Sequence, residues 1–371
     1  MTDHREAVSP HIVLLPRAEL ARMIRLVRAL DRLSRLPAYR DRVIPEVPET
    51  ARFDPGHDSV MMGYDFHLTG EGAKLIEVNT NAGGALLSYL AHFPGTPLLA
   101  SGLPHRLKAQ LLRSFADEMG GFAGARPARP QCIAIVDENP REQFLYSEML
   151  AFADLFADWG AAAVVADPAE LEAGPGGVSL GGQRADLVYN RHCDFYLESD
   201  AMAGLRAAYL GRAVCLTPNP FTYGLLADKR RMILWSSPEE LRTLGLRQRD
   251  AELFASLVPR SRLLSALDPE EVWQERKALV FKPVSRFGSR GVLLGRKISR
   301  SRFNTLVPEE TLVQALAEPS LTEQGPEGPM KTDFRLYAYR NRILGVAARL
   351  YRGQVTNMRT PGGGFAPVRV V

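Results

Sequence analysis

The chain has 371 residues, 46% hydrophobic and 24% charged, enough to bury a large core and divide into two or three subdomains. Its net charge of +4 is spread along the chain, which suits anionic ligands and is too mild to point to nucleic acid. The three cysteines, Cys132, Cys193 and Cys215, form neither a CxxC pair nor a Cys/His metal spacing, so the expectation is a reducing, cytoplasmic setting without a disulfide framework.

The opening MTDHREAVSPHIVLLP reads as neither a signal peptide nor a membrane span. Pro16 to Leu36 reads as a helix, because Leu20, Met23, Ile24, Val27 and Leu30 recur at helical spacing. Arg22, Arg25, Arg28, Arg32 and Arg35 fall elsewhere on the wheel, as a nucleic-acid stripe or, more simply, a solvated face. Residues 38–57, rich in proline and charge, read as loop.

A hairpin follows. Phe66, Leu68, Leu75, Ile76 and Val78 are strand formers, and 69–73 between them reads as the turn. Centring that turn near Glu71 sets Asp65 opposite Glu77, while Glu77 and Asn79, two apart, share a face. Three oxygen-bearing side chains then converge, the chemistry that Mg²⁺ prefers. The alternative is a surface hairpin whose acids face water, and Glu-x-Asn by itself does not decide. The run Asn79-Thr80-Asn81-Ala82-Gly83-Gly84 is unusual for a simple solvated turn.

Leu103 to Met119 reads as a second helix, and at Gln131 the texture changes. CIAIVDE, AAAVVAD, ADLVYNR and AVCLTPNP read as strands, with helices at 143–159 and 201–210 and a loop over Gly174 to Gly182. Strands alternating with helices predict a parallel α/β layer from about Pro130 to Pro220. Without GxGxxG after its first strand it is not read as a dinucleotide site. Asp137 to Asn139 and Asn190-Arg191 fall at strand ends, where such layers bind ligands. Arg191 there suits either a substrate carboxylate or a structural salt bridge.

In the last third, LVFKPVSRFGSRGVLLG reads as strand, glycine-rich turn and strand. Lys282 leaves the first strand, and backbone N–H groups of Phe287 to Gly291 are placed to meet phosphate oxygens, although a plain hairpin accounts for the run equally well. TLVQALAEP is another strand, and two long strands flank Arg340-Asn341-Arg342. Asp333 and Arg335 alternate onto one face, with Arg349 on the next strand; such polar residues also fit the wet face of an antiparallel sheet. The closing Asn357 to Gly364 run is harder to explain as structure alone.

In chain order these motifs resemble the ATP-grasp superfamily of ATP-dependent carboxylate–amine ligases. The matching residues are Asn219, Asp228-Lys229, Lys282-Pro283, Gly288-Ser289-Arg290-Gly291, Val313-Gln314, Asp333-Phe334-Arg335, and Arg349 with Asn357 and Gly362-Gly363-Gly364. There the pattern stops. Its missing helix, its GYDF and its IEVNTNAGG stand at residues 16–84, so the order resembles a circular permutation, as in eukaryotic glutathione synthetase and glutathionylspermidine synthetase. The resemblance implies a mixed α+β and α/β fold in three parts. Residues 1–100 would hold the displaced end of the ATP-grasp domain, 101–220 a Rossmann-like subdomain, and 221–371 the nucleotide-binding part.

It further implies ATP and Mg²⁺, with Asp65, Glu77 and Asn79 as metal ligands. Lys229, Lys282, Gly288 and Ser289 would meet the phosphates, and Gln314 would lie at the adenine hinge. Arg335, Arg349 and Asn357 would surround the transferred phosphate, with Arg191 and Arg359 as substrate contacts. The implied partners are a small-molecule or peptide carboxylate and an amine, with no nucleic acid and no membrane; a homodimer is left open. Two positions depart from the family pattern: Ala82 stands where proline is common, and Val355 where several relatives carry arginine, a place Arg359 can fill. The insert between Lys229 and Lys282 matches nothing in the family pattern.

Overall fold

The computed structural model describes residues 4–284, 291–323, 328–354 and 356–371. Strand β1 (Val13–Leu15) leads into helix α1 (Arg17–Leu33), whose Met23, Leu26, Val27, Leu30 and Leu33 are buried. The apolar stripe is its core face, as its period requires. Several of its arginines engage neighbouring elements. Arg22 donates to Glu19 and Ser256, Arg32 pairs with Asp250, and Arg28 donates to the carbonyl of Asn341.

The segment expected as loop holds two helices, α2 (Pro37–Val43) and α3 (Glu49–Arg52). Proline does not block α2, because it stands at the first helical position, where its missing N–H has no partner to lose. Strands β2 (Met62–Thr69) and β3 (Gly72–Asn79) form the expected hairpin, followed by α4 (Ala85–His92) and α5 (His105–Ala123).

A parallel layer comes next. It runs β4 (Cys132–Val136), α6 (Tyr146–Asp158), β5 (Ala162–Ala166), then β9 (Leu187–Asn190), α7 (Ala203–Leu210) and β10 (Cys215–Thr217), in the spatial order β10-β9-β4-β5. Between β5 and β9 the expected loop is instead a three-stranded antiparallel sheet, β6 (Glu172–Gly174), β7 (Gly177–Leu180) and β8 (Gln183–Ala185). Gly181 and Gly182, both at positive φ, supply the two-residue turn that pairs β7 with β8. Helix α8 (Pro220–Leu226) follows, its start capped by Asn219, whose Oδ1 accepts the Thr222 N–H at 2.9 Å.

The unassigned insert is largely helical, with α9 (Arg231–Trp235), α10 (Pro238–Thr243), α11 (Gln248–Leu257) and α12 (Pro269–Glu275). Strand β11 (Ser261–Leu263) lies in this stretch and joins β12 (Leu279–Pro283), β13 (Leu293–Leu294) and β14 (Thr311–Ala315) in the order β11-β14-β12-β13, with α13 (Arg300–Phe303) between β13 and β14. The last strands are β15 (Ser320–Thr322), β16 (Met330–Tyr339), β17 (Arg342–Tyr351), β18 (Gly364–Ala366) and β19 (Val368–Val370).

Distant parts of the chain share one antiparallel sheet, ordered β18-β17-β16-β2-β3 with β15 also on β16. Arg335 sits opposite Asp65, and Asp65 opposite Glu77. Strand β19 runs parallel to β1, and the Arg17 N–H reaches the Val371 carbonyl at 2.7 Å. One core accordingly includes Val13 to Val78 members together with Phe221, Trp235, Leu312, Phe334 and Val368.

Candidate active site

Between this sheet and the β11-β14-β12-β13 sheet lies a pocket lined by Asp65, Glu77, Lys282, Gln314, Asp333 and Arg349, among others. Lys282 is 6% exposed; its Nζ donates to Gln314 Oε1 at 2.7 Å and to the Ile76 carbonyl at 2.9 Å. Burial lowers its pKa to about 8, with Glu77 opposing that shift and Lys229 adding to it. Lys229 is therefore close enough for the two cations to sense each other.

Asp65, Glu77 and Asn79 do converge. The Asn79 amide donates to Asp65 Oδ2 and to Glu77 Oε1, each at 3.2 Å. Asp65 is nevertheless already engaged. Arg335 grips it with two 2.6 Å hydrogen bonds, and Arg349 adds a 2.9 Å ion pair. Burial alone would raise the pKa of Asp65; the two guanidiniums outweigh it and hold it at about 2. Arg349 also binds Asp333 at 2.5 Å, and Thr356 donates to the other Asp333 oxygen at 2.6 Å. Burial works against the charge on Arg349, yet Asp333 and Asp65 hold its pKa above the ordinary value. Asp333, Arg335 and Arg349 are each under 10% exposed, so this is a covered charge cluster rather than a wet sheet face.

Mg²⁺ takes oxygen donors, typically one or two carboxylates completed by phosphate oxygens and water. Glu77, which makes no ion pair among the described residues, and Asn79, once its amide is turned over, fit that need. Asp65 fits only by giving up a guanidinium contact. Among the described residues no group of three or more His, Cys, Asp and Glu side chains is placed to hold a metal.

Other expected residues lie differently. Gln314 lines the pocket, but its side chain bridges Lys282 and Ser261 rather than standing free for a base. Asn357 is exposed, its Oδ1 accepting the Arg359 N–H in a local turn; Thr356 is the residue of that loop that reaches the cluster. Arg359 is exposed and lies 5.6 Å from the Phe144 ring centroid. Gly288, Ser289 and Val355 lie outside the described residues.

Arg191 is buried and faces the protein. It donates to the Asn81 carbonyl at 2.7 Å and so ties the end of β9 to the loop after β3. Glu148, which sequence reasoning missed, completes that tie. It is buried and accepts the N–H groups of Gly84 and Leu86 at 2.6 and 2.8 Å, at the start of α4. Arg335 Nη1 and the Tyr337 hydroxyl both donate to the Gly83 carbonyl. An added Cβ at Gly83 would fall 2.3 Å from Leu145 and 2.6 Å from Arg191, which explains the glycine. A buried glutamate on a helix gives no sequence signal of this role; the low side-chain volume of Asn81 to Gly84 is the one clue.

A larger cavity, about 940 Å³, opens where β4, β5 and β9 end. Asp137, Asp194, Phe195, Tyr196, Tyr223 and Asp228 are among its lining residues.

No protein-family model and no curated protein matches the chain. Among solved structures it is similar to a glutathione synthetase-like effector from Globodera pallida in apoform. The TM-score is 0.58 at 11% identity, over 98% of this chain and 90% of that one. It is also similar to a putative γ-glutamylcysteine synthetase from Methylobacillus flagellatus KT, with a TM-score of 0.52 at 11% identity over 92% of this chain and 86% of that one. The chain thus shares its fold, of mixed parallel and antiparallel sheets, with these two structures.

Proposed function

We propose that this chain is an ATP-dependent carboxylate–amine ligase that forms an amide through an acyl phosphate. The observation that carries the reading is the meeting of Lys282, Glu77 and Asn79 with the Asp65–Arg335–Arg349–Asp333 cluster around one pocket between two sheets. The fold shared with two synthetase-like structures supports it.

In this reading Lys282 and Lys229 bind phosphate oxygens, and Gln314 holds Lys282 in place. Gly288 and Ser289 cover the phosphates, an assignment that rests on the sequence. Glu77 and Asn79 would hold Mg²⁺, which when bound offsets charge on the transferring phosphoryl group. Arg335 and Arg349, fixed beforehand by Asp65 and Asp333, orient the acid and neutralise its acyl phosphate. The substrate carboxylate attacks the γ-phosphorus and ADP departs. The amine then attacks the acyl carbon and phosphate departs.

We also infer that the chain is circularly permuted within this fold. The pairing of β1 with β19 supports this, because permutation requires adjacent ends. The division at about residues 100 and 220, the Rossmann-like character of the parallel layer and a cytoplasmic location belong to the same proposal.

A second reading, a nucleotide-binding protein that does not ligate, draws support from the engaged Asp65 and the exposed Asn357. Release of ADP that requires Mg²⁺, an acid and an amine together supports ligation. ADP release with the acid alone, at an undiminished rate, points to phosphoryl transfer. ATP binding without turnover under any pairing of acid and amine supports the second reading.

A further inference from the structure

We propose that an apolar cavity of about 300 Å³ beneath α4, with the basic recess beside it, binds a free medium-chain fatty carboxylate. The chain of that molecule fills the cavity, and its carboxylate meets the arginines of α5. The site shares no lining residue with the reaction pocket and does not rest on the ligase reading.

The cavity wall is built from buried side chains. Met61, Leu86, Leu111 and Tyr337 are each 2% exposed or less. Tyr89 and the exposed Phe93, with ring centroids 4.8 Å apart, add an aromatic side. The volume lies at the lower end of the range usual for small-molecule sites, about 300–1,000 Å³. Walls buried to this degree suit a molecule that enters, rather than a lipid surface resting on the protein.

Gly345 is the sharpest sign of an occupant. It lies inside β17, opposite Tyr337, and a Cβ added there would meet no atom within 4 Å. Its backbone is not left-handed, so conformation does not demand glycine at this position. A glycine inside a strand gives up packing and often marks a place that another molecule approaches closely. The register of β16 on β17 also shifts here, leaving Leu344 without a partner across the ladder. Such an irregularity re-aims a side chain, and Leu344 lines both the cavity and the recess next to it.

The recess supplies the charge. His105, Arg106, Arg113 and Arg342 line it, and neither space has a carboxylate in its described lining. Arg342 is answered by Asp117 at 2.6 Å, but Arg106 and Arg113 are exposed and make no ion pair among the described residues. Helix α5 serves both spaces, with Leu107 and Leu111 on the apolar one and Arg106 and Arg113 on the basic one. An ammonium head would meet like charge there. A carboxylate head takes paired, charge-assisted hydrogen bonds from arginine.

The Tyr337 hydroxyl donates to the Gly83 carbonyl at 2.9 Å, the same oxygen that Arg335 reaches at 3.3 Å. An occupant packed on Tyr337 therefore acts on the loop between the hairpin and α4, as an effector rather than a reactant.

The test uses octanoate, with 1-octanol and acetate as probes that lack its charge or its chain. Isothermal titration of the full chain should show octanoate binding about ten-fold or more tighter than 1-octanol, by a margin that narrows with salt, and no binding of acetate. Gly345→Leu fills the cavity and should weaken octanoate by about ten-fold or more without lowering the midpoint of urea unfolding. Arg106→Gln/Arg113→Gln alters only exposed side chains, so the protein should fold; it should bind octanoate about ten-fold more weakly and 1-octanol as before. Equal binding of octanoate and 1-octanol, or octanoate binding unchanged in either folded variant, would overturn the proposal. So would loss of octanoate binding at saturating ATP, which would put the molecule in the reaction pocket, or octanoate-dependent ADP release, which would make it a reactant. Binding to phosphatidylglycerol vesicles that octanoate does not reduce would assign the surface to a membrane instead. ATP that fails to bind at all counts against the ligase reading and leaves this site in place.

Discussion

The two pockets hold charge in opposite ways. Between the sheets, Asp65 and Asp333 are answered by Arg335 and Arg349, all buried and mutually hydrogen-bonded. At the ends of the parallel strands, carboxylates line an open cavity, and one of them, Asp137, is buried with no ion pair among the described residues, although the charge of Arg191 acts on it. The first arrangement is complete before any ligand arrives, so it positions. The second is less compensated among the described residues, so its charge acts on whatever enters. Fixed, compensated charge suits catalysis by preorganisation, while uncompensated charge suits selection of a partner.

The strongest way to break this contrast is to unbalance the first pocket. Asp65→Ala leaves two buried guanidiniums short of a counter-charge and should destabilise the fold by about 3–5 kcal/mol. Urea unfolding measures this, and a loss below 1 kcal/mol would mean that the cluster is not compensated as described. Lys282→Ala should weaken ATP binding by roughly 2–5 kcal/mol, since a desolvated phosphate loses its partner. In the intact protein, ATP should draw a proton onto Lys282 near pH 8, because phosphate favours the charged form of a lysine that burial has made partly neutral. Calorimetry in buffers of different ionisation enthalpy reads that uptake directly.

Glu77→Gln should keep the fold and much of the nucleotide affinity while lowering kcat by about 10²-fold or more, if Glu77 holds the ion. Unaltered Mg²⁺-dependent turnover in that variant removes the assignment.

Stability against pH sharpens the comparison, because the two carboxylates should act with opposite sign. The depressed pKa of Asp65 stabilises the fold above about pH 4, and that contribution disappears as pH falls toward about 2. The raised pKa of Asp137 does the reverse. Its charge costs stability increasingly as pH rises from about 4 to about 6, by roughly 2–3 kcal/mol in full. Asp137→Asn should therefore gain on the wild type over that interval, and a flat difference between pH 4 and 7 would contradict the burial argument. The smallest effect belongs to Asn357→Ala. An exposed turn residue should change stability by about 0.5 kcal/mol or less, and turnover by no more than a few-fold. A hundred-fold fall in kcat would show instead that the loop carries Asn357 into the site during turnover.

Local sequence pattern was sufficient for the hairpin and for which of its polar side chains meet. A period of two and a short turn set Asp65 against Glu77 and placed Asn79 on the same face, and those three side chains do meet. The period of α1 likewise marked its buried face. Pattern failed where sequence-distant partners decide. Proline and charge in 38–57 suggested loop, but Tyr39 is fully buried and accepts the Trp235 Nε1–H, giving α2 a tertiary contact that no local window contains. The glycines of 174–182 suggested irregular chain because their turn-forming use shows only once strands flank them.

Arg191 and Gln314 illustrate the same limit within the site. Arg191, at a strand end, was left open between a substrate carboxylate and a structural salt bridge, and Gln314 was placed at the adenine hinge by the resemblance; both side chains hydrogen-bond to protein groups. The sequence by itself determined which residue types are available and how neighbours along a strand or helix share a face, because those follow from fixed backbone periods. Only the tertiary structure decided that strands more than 260 residues apart bring Asp65 to Arg335, and which carboxylates are answered by cations. Charge compensation depends on distance and burial in space, and neither is encoded in the spacing of residues along the chain.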